Sequence, residues 1–226
     1  MSIEIQVMCS LAFKAAYIEL VPRFERESGM KIASQFVGGV DIRKRLREGA
    51  DADLVIMAGA AIDDLIGEGL VAPGSRVDLV RSKIGVAVRA GAPRPDISSP
   101  DALKRALLAA NAIAYSSGPS GVYLVKVFER WAIPAGKLKQ SAPGVPAGDI
   151  IAKGDAEIGF QQISELMPVK GIDYIGPIPE EIQHVTIFSA GTSARAKQGE
   201  AAKALTRFLT SRDVVPVLAK HGLDPA

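Results

Sequence analysis

Asp53-Leu-Val-Ile-Met57 is the stretch on which the fold turns. After its opening aspartate it is wholly apolar, the pattern of a strand buried on both faces in the middle of a parallel sheet. Upstream, Ile3, Ile5 and Val7 alternate with polar residues as one strand, and Ile32–Val37 reads as another. Between them, Leu11–Ser28 carries Leu11, Ala15, Ile18 and Phe24 at helical spacing, with Pro22 expected to bend the helix and Gly29 to stop it. Asp41–Glu48 reads as a short helix capped by Asp41, and Ala61–Glu68 as another closed by Gly69. This alternation of strand and helix calls for an α/β protein with an open, mostly parallel sheet and right-handed crossovers.

Downstream the series starts again. Ile84–Val88 is a strand, Ala90–Asp96 a turn-rich loop, Pro100–Ala109 a helix with proline in its first turn, and Ala112–Tyr115 a strand. Ser116-Ser-Gly-Pro-Ser-Gly121 leads into a helix through Trp131. Ala147–Lys153 and Gln162–Leu166 read as short helices around the strand Ala156–Phe160. His184–Ala190 is a further strand, followed by helices over Ala196–Leu209 and Asp213–Lys220. With about 150 residues per domain as a guide, 226 residues suit two interlocked lobes.

Composition narrows the function. Lys plus Arg is 27 and Asp plus Glu is 25, a net charge of +2 with no basic stripe, so no nucleic-acid partner is expected. Cys9 is the sole cysteine and His184 and His221 the only histidines, so neither a disulfide nor a metal site is expected, and no cofactor. No apolar run reaches the roughly 20 residues of a membrane-spanning helix. Met1-Ser2 leads directly into Ile3–Val7 without a signal-like segment, which predicts a cytoplasmic protein, or a periplasmic one if this is a mature chain given a new start methionine. A monomer is expected.

Open parallel sheets take ligands at the carboxyl ends of their strands, where the next helix offers unpaired N–H groups to an anion. Three such places carry small or hydroxyl residues: Met8-Cys-Ser10, Phe36-Val-Gly-Gly39 and Ser116–Gly121. Any one is explained by serine capping and glycine turning. Three in register point to an anion site.

The order and spacing of Val7-Met-Cys-Ser-Leu11, Phe24-Glu-Arg-Glu-Ser-Gly29, Gly49-Ala-Asp-Ala-Asp-Leu-Val-Ile56, Pro119-Ser-Gly-Val-Tyr123 and Gly154-Asp-Ala-Glu-Ile-Gly-Phe160 resemble the molybdate-binding members of the solute-binding proteins of ABC transporters. The resemblance covers nearly the whole chain. It implies a two-lobed periplasmic-binding-protein-like fold, lobe 1 being 1–81 plus 188–226 and lobe 2 being 82–187. Two hinge crossovers, near Val80–Lys83 and Thr186–Ser189, would let the lobes close on a small anion. Carried over residue by residue, the ligand contacts fall on Ser10, Gly39, the turn Pro119-Ser120-Gly121, Val145 and Gln162; Ser117, Val122 and Gln161, beside them, are added as candidate contacts. Gly39 and Gln162 stand where the family has serine and tyrosine donors, which implies a ligand other than molybdate. Gly159-Phe-Gln-Gln-Ile-Ser-Glu-Leu166 and Gly176-Pro-Ile-Pro179 resemble a branch that includes aconitate isomerase, which implies organic polycarboxylates.

Arg81 and Arg89 flank the strand after the first crossover, and an arginine can grip a carboxylate with two parallel bonds. The leading expectation is therefore a solute-binding protein that closes on an organic polycarboxylate, partnered by an ABC permease if exported. The alternative is an isomerase of an unsaturated tricarboxylate, which needs a general base. Glu165, Tyr115 and Cys9 are the candidates, and the sequence does not choose among them.

Overall fold

The computed structural model describes residues 3–226. In chain order, β1 (Glu4–Ser10), α1 (Leu11–Ser28), β2 (Lys31–Val37), α2 (Gly39–Arg47), β3 (Leu54–Ala58) and α3 (Gly59–Gly67) open the chain, followed by β4 (Val77–Ser82). Then come β5 (Ile84–Arg89), α4 (Pro100–Ala109), β6 (Ile113–Tyr115), α5 (Pro119–Arg130), β7 (Leu138–Gln140) and α6 (Ala147–Ala152). The stretch closes with β8 (Ile158–Gln162), α7 (Ile163–Leu166) and β9 (Ile172–Pro177). Last are β10 (Thr186–Thr192), α8 (Gly199–Leu209), α9 (Val215–Lys220) and β11 (Leu223–Pro225).

Two compact units result, Met1–Ser82 with Thr186–Ala226 (unit 1) and Lys83–Val185 (unit 2). Ser82, Thr186 and Ile187, expected in the second lobe, fall in unit 1. Thr186 pairs with Ser82 and Ile187 with Arg81 in the unit 1 sheet, so these residues are strand members there.

Unit 1 has a six-stranded sheet in the order β11-β4-β10-β3-β1-β2, and unit 2 a five-stranded one, β7-β6-β8-β5-β9. Both are mixed rather than mostly parallel. In unit 1, β1 runs parallel to β2 and β3, while β10 is antiparallel to β3 and β4, and β11 to β4. In unit 2, β6 is parallel to β7 and β8, while β5 is antiparallel to β8 and β9. The strand–helix–strand repeats build the parallel halves, and β10 and β11 in unit 1 and β5, the first strand of unit 2, run against them.

The apolar run after Asp53 is explained by the core. Leu54 and Ile56 join Ile5, Val7 and Cys9 against Phe13, Tyr17 and Leu20 of α1 and Leu205 of α8. Val55 and Met57, on the other face, join Met8 against Ile42 and Leu46 of α2 and Ile62 of α3. Burying each such side chain contributes roughly 1.5–3 kcal/mol, and a strand covered on both faces needs an apolar residue at every position. Asp53 itself is 3% exposed and fully employed. Its carboxylate accepts N–H bonds from Gln6 (2.8 Å), Lys197 (2.7 Å) and Gln198 (2.8 Å), tying β1 and β3 to the start of α8.

Most local expectations hold with shifted ends. Gln162, expected in a short helix, closes β8, the strand expected from His184 starts at Thr186, and β4, β7, β9 and β11 are strands beyond those expected. Helix α1 runs through Pro22 to Ser28 and is closed by Gly29 at φ 70°. Helix α2 starts two residues before Asp41, at Gly39 with Gly38 as its cap, so Asp41 sits in its first turn instead of capping it. Among the described residues no helix is long and apolar enough to cross a membrane.

Candidate functional site

In unit 2 the carboxyl ends of the neighbouring parallel strands β7, β6 and β8 present Ser141, Ser116 and Gln161–Gln162. The loop after β6 is tightly built. Ser116 Oγ lies 2.9 Å from Ser120 Oγ and accepts the Gly118 N–H at 3.3 Å. A Cβ on Gly121 would stand 1.6 Å from the Ser116 carbonyl oxygen, so only glycine allows this approach. Helix α5 begins with Gly118 at its cap and no side-chain capping bond. Pro119 has no N–H, and the Val122 N–H is taken by the Gly118 carbonyl at 3.1 Å. Val122 is thus corrected as a backbone donor; Ser120 and Gly121 keep first-turn N–H groups without an intrahelical acceptor. Ser117 is half-buried in the loop.

Gln161 and Gln162 end β8 and are both buried. Gln161 Oε1 accepts the Ala147 N–H at the start of α6 (2.7 Å), and its amide donates to Glu165. Glu165 keeps some surface in contact with solvent, but its carboxyl group is enclosed by protein. Desolvation pushes it up to about 7, against the opposing pull of the Gln161 bond. Next to it, Ser164 Oγ is buried without a hydrogen-bond partner, and so is Ser141 Oγ.

Other unit 2 expectations are redirected. The Val145 N–H closes a turn on the Ala142 carbonyl at 3.0 Å, so it is not a free donor. Tyr115 packs edge-on against Phe128, with ring centres 5.6 Å apart, inside the apolar cluster. Tyr123 donates to the Ile182 carbonyl (2.8 Å) and stacks on His184. Arg89 is at the wrong end of the sheet: Val88 pairs with Ile158, whereas Gln161 pairs with Gly85.

In unit 1, Ser10 ends β1 and occupies the cap position of α1, yet its hydroxyl makes no capping bond. Gly39 opens α2, where a Cβ would touch Met57 Cε at 3.4 Å. Cys9 is fully buried, its thiol turned to the Ser10 carbonyl at 3.4 Å and pushed well above its ordinary range by burial, so it belongs to the core and not to the chemistry. Arg81 is exposed on β4, between Ile187 and Asp224, one pair beyond the level of Ala58 at the end of β3. Sequence reasoning passed over Arg76. Its guanidinium pairs with Asp63 and, at 2.9 Å, with Asp78, which also accepts the Ser189 hydroxyl at 2.6 Å.

Two cavities lie at the opposite strand ends. One of about 390 Å³ is lined by Glu4, Gln6 and Asp51–Asp53, and one of about 450 Å³ by Val88, Arg89, Pro93, Pro95 and Ile158. In the first, Lys197 pairs with Asp51 at 2.8 Å.

Comparison with known proteins places the chain. An aconitate isomerase from Pseudomonas sp is 40% identical over 215 residues, covering 92% of this chain and 82% of that protein. A periplasmic molybdate-binding protein from Azotobacter vinelandii superposes with a TM-score of 0.81 at 16% identity, covering 97% of this chain and 98% of the other. A sulfate-binding protein from Mycobacterium tuberculosis gives 0.79 at 18% identity, covering 99% and 87%. At such identities the two structures speak for the fold alone, the two-lobed periplasmic-binding-protein fold. The model of the bacterial extracellular solute-binding proteins matches residues 5–224. By that match and the 40% relative, this chain belongs to the bacterial extracellular solute-binding protein family.

Proposed function

We propose that this protein binds a small organic polycarboxylate and isomerises an unsaturated tricarboxylate of the aconitate class. The observation that carries the reading is Glu165, an enclosed carboxyl group raised to about 7 and oriented by Gln161. A general base works best with a pKa near the operating pH. The Glu165 carboxylate takes a proton from the methylene carbon next to the double bond. The C–H electrons form a new C=C, the old one shifts away, and the same proton returns at the far carbon. No oxidant or cofactor is consumed. The 40% relative, an aconitate isomerase, supports the same chemistry.

Anion contacts are assigned in unit 2 to Ser117, Ser120, the Gly121 N–H, Gln161 and Gln162. In unit 1 they are assigned to Ser10, the backbone of Gly39 and Arg81. Arg81 has no ion-pair partner among the described residues, and helix starts alone supply only about half a charge each. The test is proton NMR of cis- and trans-aconitate incubated with the protein in D2O. Interconversion is expected, and its absence overturns the enzyme reading. A receptor that binds without turnover is the second reading, favoured by the solute-binding family model. It is the outcome when calorimetry finds binding and NMR finds no conversion.

A further inference from the structure

We infer that Ser141 contacts the ligand and, with the Ser116–Ser120 hydroxyl pair, holds one of its carboxylate groups at the start of α5. The inference rests on the polycarboxylate reading and adds to it a residue and a group. Ser141 is 3% exposed, and its hydroxyl has no partner. Enclosing a hydroxyl that way is unfavourable, because its bonds to water are lost without replacement. Folded proteins retain such groups where something else needs them.

The backbone says where this hydroxyl stands. The Ser141 N–H donates to the Tyr115 carbonyl at 2.9 Å, and the β6–β7 register pairs Tyr115 with Gln140. One step further, Ser141 falls beside Ser116. A proton count then shows what the group can do. Ser116 and Ser120 share one hydrogen bond of 2.9 Å, and the Gly118 N–H also points at Ser116 Oγ. Two hydroxyls own two protons and their mutual bond uses one, so one O–H stays uncommitted whichever serine donates. Ser141 brings a second. The N–H groups of Ser120 and Gly121 bring two more, on a helix of 12 residues. A carboxylate offers two oxygens with about four acceptor positions, which matches four donors. The close approach of the Ser116 carbonyl to Gly121 holds the loop against the helix start and keeps these donors in place.

The test pairs two readouts that a merely structural serine would move together. Calorimetry with citrate, trans-aconitate and molybdate is run beside thermal melting, on the parent and on Ser141→Ala, Ser120→Ala and Ser99→Ala. Ser99 caps α4 by accepting the Ala102 N–H at 3.2 Å, so its variant should melt lower and bind as the parent does. Ser141→Ala should do the reverse: tenfold or weaker binding of both tricarboxylates, with a melting temperature no lower than the parent's. Ser120→Ala should weaken binding to a similar degree. Parent-like affinity in Ser141→Ala overturns the inference, as does lost affinity accompanied by a lowered melting point. A parent that binds neither tricarboxylate overturns the reading beneath it, and that failure is told apart because it precedes any substitution.

Discussion

The two units differ in whether every buried hydroxyl finds a partner. In unit 1, buried Asp53 takes three backbone N–H bonds, buried Ser189 donates to Asp78, and even half-buried Arg76 is bracketed by two aspartates. In unit 2, Ser141 and Ser164 are enclosed with nothing to bond, and Glu165 is held where its charge is disfavoured. Both buried, unpartnered hydroxyls among the described residues fall in this one unit. A satisfied buried group contributes to stability, whereas an unsatisfied one weakens the fold and is available to a ligand. Position at a strand end does not separate the two cases; completeness of bonding does.

The contrast breaks most readily at Glu165. Glu165→Gln should lower the rate of aconitate interconversion by about 10²- to 10⁴-fold, the usual contribution of a positioned acid–base group, while tricarboxylate binding persists. NMR rates beside calorimetry check this. Asp53→Ala is its mirror image in unit 1. It strips the acceptor from three N–H groups at once, and denaturant unfolding should show a loss of about 3 kcal/mol or more. Turnover at a temperature where the variant is folded should not change.

The pH dependence sharpens the contrast. A carboxyl raised in the folded state from 4.5 to about 7 binds more protons folded than unfolded across that interval. Stability should therefore fall as pH rises from about 4.5 to about 7 and level off above it, by at most about 3 kcal/mol from this group. Urea titrations at several pH values should show this slope in the parent and not in Glu165→Gln. Turnover should rise as the base ionises, with its midpoint near pH 7. The smallest effect expected is at Arg81, where replacement by lysine keeps the charge and loses the two-pronged grip. Affinity for citrate should weaken by about tenfold with melting unchanged. Parent-like binding would make Arg81 a surface residue.

Much of the fold is legible in the residues because periodicity and burial coincide. Leu54–Met57 is apolar throughout since both its faces are covered, and β1 alternates since its two faces differ. Strand direction is not written locally, so the antiparallel placement of β10 and β5 escapes a reading that counts strand–helix repeats. The three-residue strands β7 and β11 carry too little pattern to register, and β9 is only half-buried. The site divides along the same line. Ser10, Ser120 and Gln161–Glu165 follow strands strong enough to be recognised. Ser141 follows Leu138-Lys-Gln140, which announces nothing, and its importance lies in bonds it does not make.

The position of β10 also sets an order of events during synthesis. That strand lies between β3 and β4 in the unit 1 sheet, yet it is encoded after the whole of Lys83–Val185. Until the ribosome has passed Thr192, β3 has a partner only on its β1 side, and the edge of Leu54–Ala58 is open. An apolar strand with an open edge invites pairing with other chains. Unit 2 is contiguous and can close on itself while the first segment waits. A chain that ends before residue 186, once released from the ribosome, should therefore carry a finished second unit and an unfinished first one.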